Sequence, residues 1–300
     1  MSAISRQAGS PYAVGDGGLA AGISFAEIDW AGRQVRIEYQ WVGPAAAFRA
    51  GNDEAGMPEA PWLVFLHEGL GSLSMWRDFP ARLCAALGCR GLVYSRPGYG
   101  RSTPRAANES WGADFMHRQA HEVLPALLGA LGCDSCAAPW LLGHSDGGSI
   151  ALLYAARYPL RVSGAIVLAP HILVEQVSVD SIARTRKTYL ETDLRVRLAR
   201  HHADPDSAFW GWNDIWLAPA FRHWSIAEEI ATITCPLLAV QGLDDEYGTL
   251  AQIDGIARCV PQTQGLELAH CGHSPHRDQA DSLIAACTSF IQRSQKGDIS

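Results

Sequence analysis

The sequence predicts a doubly wound α/β sheet, mostly parallel, with an antiparallel N-terminal edge and a helical insertion. Three observations carry this. Short continuous apolar runs recur at 62–66 (WLVFL), 91–95 (GLVYS), 140–143 (WLLG), 165–169 (AIVLA) and 237–242 (LLAVQG). Strands buried on both faces of a parallel sheet read this way. Helix-periodic stretches separate the runs. One long interval, 171–230, breaks the alternation with helical patterning and no clear strand.

In chain order, residues 1–22 are rich in Gly, Ala and Ser without periodicity, as a flexible tail is. Residues 25–43 alternate apolar and polar around Gly32, which predicts a β-hairpin. The Gly/Ala/Pro-rich stretch that follows, to Pro61, reads as a surface insertion. Trp76, Phe79, Leu83 and Leu87 share one helix face, and Gly88 stands where a helix C-terminus favours glycine. A second helix is expected over 115–132, kinked at Pro125. A third covers 150–158 and stops at Pro159. The interval 171–230 gathers Phe209, Trp210, Trp212, Trp216, Phe221 and Trp224. These aromatics can roof the C-terminal edge of the sheet or simply form the core of a helical layer. The expected division is a core of 23–170 with 231–300, and a helical cap of 171–230.

Composition narrows the function classes. Lys and Arg number 24 against 31 Asp and Glu, a formal charge of −7 without a basic run. That argues against a nucleic-acid partner. No stretch approaches the roughly 18 apolar residues of a membrane span, and the N-terminus lacks the charged start and apolar run of a secretory signal. The expectation is a cytoplasmic protein acting on a small molecule without a membrane partner, compatible with a homodimer. Cys84, Cys235, Cys259 and Cys287 fall in core-like segments, as reduced thiols do. Cys133 and Cys136 have CxxC spacing, but no second pair or histidine spacing accompanies them, so they read as a chance loop pair. No metal or cofactor site is expected.

The chemistry centres on LGHSDGGS (142–149), where Ser145 and Asp146 stand side by side. Either can attack an electrophilic carbon. A sharp strand-to-helix turn strains its central residue and demands small neighbours two positions to either side. Centred on Ser145 these are Gly143 and Gly147; centred on Asp146 they are His144 and Gly148, and the imidazole collides. Ser145 is therefore the tip, and the Asp146 N–H opens the helix, where it can face a developing oxyanion. A serine hydroxyl needs a histidine base and an acid that orients it. Asp244 and Asp245 follow the last apolar run, and His270, His273 and His276 follow them.

In this order the motifs resemble the α/β-hydrolase superfamily over roughly residues 25–293. FLHEGLGS resembles its oxyanion loop H-G-x-x-G, YSRPGYGRS its D-x-R-G-x-G-x-S loop, QGLDDEYG its acid motif and CGHSPH its histidine loop. The resemblance implies a Ser145–His273–Asp245 triad, with oxyanion donors at the N–H groups of Gly69 and Asp146 and a cap at 171–230. It leaves His270 and His276 structural. The words HEGLGS, GHSDGG, DDEYGT and CGHSPHRDQ are also similar to a subgroup of bacterial hydrolases, sometimes linked to aromatic-acid breakdown.

Two departures stand out. Glu68 replaces the usual Gly and Ser95 the usual Asp. A free carboxylate beside an oxyanion site opposes catalysis, so Glu68 is expected to pair with Arg96 beneath the site. The rival reading gives Glu68 a substrate ammonium. His171 and Glu175 open the helical interval and are candidates to line the pocket, ordinary polar residues being the commoner outcome; His144, next to the nucleophile, is a further candidate. The functional expectation is a cofactor-free serine hydrolase of a carboxylic ester or thioester. Alternatives are a C–C bond hydrolase of ring-cleavage products, a proline-type aminopeptidase, or a binding protein on the same scaffold.

Overall fold

The structure, a computed structural model, describes residues 12–15, 18–48, 61–106 and 108–297. The strands are β1 (Tyr12–Gly15), β2 (Gly18–Ala21), β3 (Ser24–Trp30), β4 (Arg33–Gly43), β5 (Trp62–Leu66), β6 (Arg90–Tyr94), β7 (Trp140–His144), β8 (Gly164–Leu168), β9 (Leu237–Gly242) and β10 (Thr263–Leu268). Helices α1 (Phe79–Leu87), α2 (Phe115–Arg118), α3 (Leu124–Ala130) and α4 (Asp146–Arg157) lie between the earlier strands. The interval after β8 holds α5 (Gln176–Glu191), α6 (Leu194–Leu198), α7 (Pro205–Leu217) and α8 (Ala227–Ile230). The chain closes with α9 (Ala251–Cys259), α10 (Pro275–Asp278) and α11 (Ala280–Lys296).

Among the described residues the strands form one ten-stranded sheet in the order β1-β2-β4-β6-β5-β7-β8-β9-β10, with β3 also on β4. Every pairing from β6 to β10 is parallel, and those up to β4–β6 are antiparallel. The expected fold class and antiparallel edge are therefore present. The expected loose tail differs: residues 12–15 and 18–21 pair as strands, while residues 1–11 lie outside the described residues. So do 49–60 of the expected surface insertion.

The apolar runs are uniform because both faces of the sheet are covered. On β5, Leu63 and Phe65 join a cluster with α1 and α11, while Trp62, Val64 and Leu66 join a second with α3 and α4. Gly88 ends α1 at φ 66°. The helix expected at 115–132 is interrupted by a π-helical turn, Gln119–Val123, just before Pro125. Proline cannot donate to the carbonyl four residues back, and that carbonyl, of His121, is taken by the Tyr158 hydroxyl at 2.9 Å. No helix of the described residues is long and apolar enough to cross a membrane. The eight cysteines are all free.

The interval 171–230 is helical and contains no sheet strand among its described residues. It is pinched at its base, where Leu173 bridges Ser225 and the Ile226 N–H donates to the Ile172 carbonyl at 2.9 Å.

Candidate active site

Strand β7 is buried throughout and delivers the chain to a turn at Ser145, whose φ of 54° is left-handed. A non-glycine residue there is strained by about 1–3 kcal/mol. The turn is closed by its neighbours: a Cβ on Gly143 would collide with the Gly147 carbonyl, and one on Gly147 with the Leu66 carbonyl. The Ser145 N–H is spent on the Leu168 carbonyl at 2.9 Å. The Asp146 N–H, at the first position of α4, has no intrahelical acceptor and sits at the positive end of the helix dipole.

His273 lies between the serine and the acid. Its Nε2 is 2.9 Å from Ser145 Oγ, and its Nδ1 is 2.9 Å from both oxygens of Asp245. Asp245 also accepts from Gln241 Nε2 at 2.6 Å and from the N–H groups of Tyr247 (2.7 Å) and Gly248 (3.3 Å). Burial pushes the Asp245 carboxyl up, but the His273 hydrogen bond and charge and the Tyr247 N–H outweigh it and hold the group below its ordinary range. An ionised Asp245 accepts a hydrogen bond from Nδ1–H, leaving Nε2 as the acceptor that faces Ser145. Asp244 stays outside this group, and His270, at φ 54°, is exposed. His276 is buried, packed 4.8 Å between ring centroids from both Trp76 and His144.

The turn after β5 is built around one carbonyl. Glu68 O accepts from Gly71 N–H (3.0 Å), Arg96 Nη2 (2.8 Å) and His67 Nδ1 (2.7 Å). His67 Nε2 in turn accepts the Arg96 N–H at 3.0 Å. Burial and Arg96 hold the His67 pKa well below 6.5, consistent with that neutral tautomer. Across a trans peptide, carbonyl and following N–H point opposite ways. Three donors gathering the Glu68 carbonyl beneath the turn therefore aim the Gly69 N–H to its other side.

The Glu68 carboxylate does not form the expected ion pair with Arg96. Arg96, fully buried, serves the main chain of Glu68, and its charge lies 4.0 Å from Asp146 Oδ2. The Glu68 carboxylate folds back over Gly71, where a Cβ would collide with Oε2. It faces His144 Nδ1 at 3.5 Å and Arg277 Nη2 at 3.6 Å. The second departure is also compensated. Ser95 Oγ donates to Glu38 Oε2 at 2.7 Å and accepts the Leu73 N–H at 2.9 Å, so buried Glu38 on β4 supplies a carboxylate where Asp was expected.

Helix α7 reaches over this group. Its start is capped by Asp204, which accepts the Ser207 N–H at 2.9 Å, and Pro205 occupies its first turn. Trp212 and Trp216, one turn apart, point the same way. The Trp212 indole lies against Gly69, whose Cβ would strike it. Trp216 Nε1 donates to Asp146 Oδ1 at 3.1 Å. Burial raises the Asp146 pKa against the pull of Arg96 and Trp216. His202 joins the same helical segment to the core, accepting the Gly100 N–H on Nδ1 (3.0 Å) and donating from Nε2 to the Leu70 carbonyl (3.1 Å).

His171 is buried 5.0 Å from the Trp216 ring and 5.9 Å from the His273 ring. Its pKa is lowered to about 3, by burial first and His273 second. Glu175 does not face the serine; Thr249 and Gln252 take its carboxylate. Sequence reasoning missed Glu38, Gln241 and His202 as parts of the site and named Trp212 and Trp216 only within the aromatic cluster. Only the aromatic cluster carried a signal for any of them. Among the described residues no group of three or more His, Cys, Asp or Glu is placed to hold a metal ion.

A buried sheet, a strained serine at a strand–helix turn and a histidine between that serine and an aspartate define a class. The chain belongs to the alpha/beta hydrolase family of enzymes, whose model matches residues 63–286. It is 26% identical over 281 residues (83% of this chain, 98% of the relative) to 2-succinyl-6-hydroxy-2,4-cyclohexadiene-1-carboxylate synthase of Enterobacter sp. (strain 638). It is 23% identical over 271 residues (81% and 91%) to 2-hydroxy-6-oxo-6-phenylhexa-2,4-dienoate hydrolase of Burkholderia cepacia. Among solved structures it is similar to a thermophilic esterase from Thermogutta terrifontis, with TM-score 0.67, 16% identity and coverage of 91% and 99%.

Proposed function

We propose that the protein is a serine hydrolase that cleaves a carboxylic ester or thioester through an acyl-enzyme. The observation that carries this is the unbroken line Ser145 Oγ – His273 – Asp245 at 2.9 Å per step, with the serine raised on a left-handed turn. His273 Nε2 takes the serine proton as Oγ attacks the carbonyl carbon, and Asp245 stabilises the imidazolium that forms. The N–H groups of Asp146 and Gly69 receive the oxyanion. His273 then protonates the leaving group, and water, deprotonated by the same ring, releases the acid. The reaction needs no cofactor.

The helical segment 171–230 acts as a lid. Trp212 lies against Gly69 and Trp216 bonds Asp146, while the serine is 7% exposed, so the acyl group meets an aromatic and largely dry surface. Glu68, turned back toward His144 and Arg277, is poorly placed for a substrate ammonium, which weakens the aminopeptidase alternative. A second reading rests on a relative: the one named as a 2-hydroxy-6-oxo-6-phenylhexa-2,4-dienoate hydrolase suggests cleavage of a C–C bond beside a carbonyl, with the same triad.

The test is turnover of p-nitrophenyl esters of graded chain length and of acyl thioesters, against vinylogous diketo acids, by wild type and Ser145→Ala. Serine-dependent ester or thioester hydrolysis supports the first reading. Turnover confined to the diketo acids replaces it with the second.

A further inference from the structure

Glu68 is a charged group at the site that ester hydrolysis does not use, and its surroundings give it another task. Its carboxylate spans three parts of the site. It belongs to the turn that presents the Gly69 N–H. Its Oε2 lies 3.5 Å from Nδ1 of His144, the residue before Ser145. Its Oε1 lies 3.6 Å from Arg277 on α10, four residues after His273.

Both partners pass the contact on. His144 Nε2–H donates to the main-chain carbonyl of His273 at 2.6 Å. Arg277 donates to the Met75 carbonyl at 3.1 Å, in the segment that leaves the turn. The groups that act on the carboxylate are His144 from β7 and His276 and Arg277 from α10, with Asp146 on α4, His67 before the turn, and His201 and His202 of the helical segment also feeling its charge. Burial acts to raise the Glu68 pKa, but His144, His276 and Arg277 outweigh it and keep the group ionised. The orientation of a histidine that bonds through one nitrogen is set by what faces the other.

We propose that Glu68 is a positioning residue: its carboxylate clasps His144 and Arg277, so that His144 fixes the main chain of His273 and holds that ring over Ser145. This rests on the serine-hydrolase reading. It explains why a carboxylate is tolerated where the family pattern has glycine: the group lies over Gly71, with the Arg277 guanidinium and His144 Nδ1 beside it. It also explains Gly71, since any side chain there would displace the carboxylate.

The experiment compares wild type, Glu68→Gln, Glu68→Asp and Arg277→Met by rate of labelling with a fluorophosphonate and by kcat and KM on the best p-nitrophenyl ester, with melting followed in parallel. Glu68→Gln keeps the shape and removes the charge. It should label and turn over about tenfold more slowly or worse, because small displacements of a catalytic group are costly. KM should change little, and Glu68→Asp should recover part of the loss. A low-field proton NMR signal from the His273–Asp245 hydrogen bond should broaden or vanish in Glu68→Gln. If Glu68→Gln melts early, Arg277→Met, which removes the clasp from its partly exposed end, decides in its place by a smaller loss in the same sense. Wild-type labelling and kcat in both variants overturn the proposal and leave the hydrolase reading standing. A raised KM with unchanged kcat also overturns it, since Glu68 would then touch substrate. Failure of the wild type itself to label removes the hydrolase reading and this proposal with it.

Discussion

On the proposed mechanism, a single proton at Asp245 decides the chemistry. The carboxylate accepts a hydrogen bond from Nδ1–H of His273 and receives Gln241, Tyr247 and Gly248 on its remaining lone pairs. Asp245→Asn leaves shape and packing but offers His273 the wrong tautomer, so kcat should fall by roughly 10³–10⁴ with little change in melting, as kinetics and calorimetry will read. A loss under tenfold contradicts the role given to Asp245. Ser145 itself was legible in sequence because its constraint is local: collisions reach two residues either way, and glycine stands at both places. The fate of Glu68 was not legible. Its partners lie 76 and 209 residues downstream on separate elements, and only the folded chain shows that Arg96 serves the carbonyl while His144 and Arg277 face the carboxylate. Glu38 was hidden for the same reason: the carboxylate that complements Ser95 comes from a strand 57 residues earlier.

At the scale of elements, α7 depends on one buried hydrogen bond for its seat over the core. Trp216 is 1% exposed and its indole N–H satisfies Asp146 Oδ1. Trp216→Phe keeps the packing and leaves a fully buried carboxylate oxygen without its donor. Chemical denaturation should show a loss of about 1–3 kcal/mol; a variant as stable as wild type contradicts the seat described for α7. The parallel strands were legible because each is covered on both faces and reads as an unbroken apolar run. Strand β10 was not, because it is the sheet's parallel edge: its residues TQGLEL are half-covered, so no run of apolar residues marks it. The helix at 115–132 was read correctly in place and incompletely in form, since the π-helical turn before Pro125 answers to packing and to Tyr158 rather than to local pattern.

At the scale of the whole molecule, buried neutral histidines set the response to acid. Burial lowers the pKa of His67 and His276 well below 6.5, of His202 to about 4 and of His171 to about 3. A depressed histidine pKa means that the fold binds fewer protons than the unfolded chain. The stability is therefore complete above the unfolded value near 6.5 and is lost as pH falls through the folded values. Asp146, whose pKa is raised, opposes this trend in part. His202 alone accounts for a shift worth on the order of 3 kcal/mol. The melting temperature should hold above pH 7 and fall between about pH 6.5 and 4, and His202→Gln should flatten that fall. A melting temperature unchanged down to pH 4 contradicts the neutral, buried histidines that join the helical segment to the core.

The most direct measurement of the central claim is intact-protein mass after reaction with a fluorophosphonate, followed by mapping of the modified peptide. A single phosphonyl adduct should appear on Ser145, absent from Ser145→Ala and strongly slowed in His273→Ala. A wild-type protein that stays unlabelled, or an adduct that persists in Ser145→Ala, contradicts that claim.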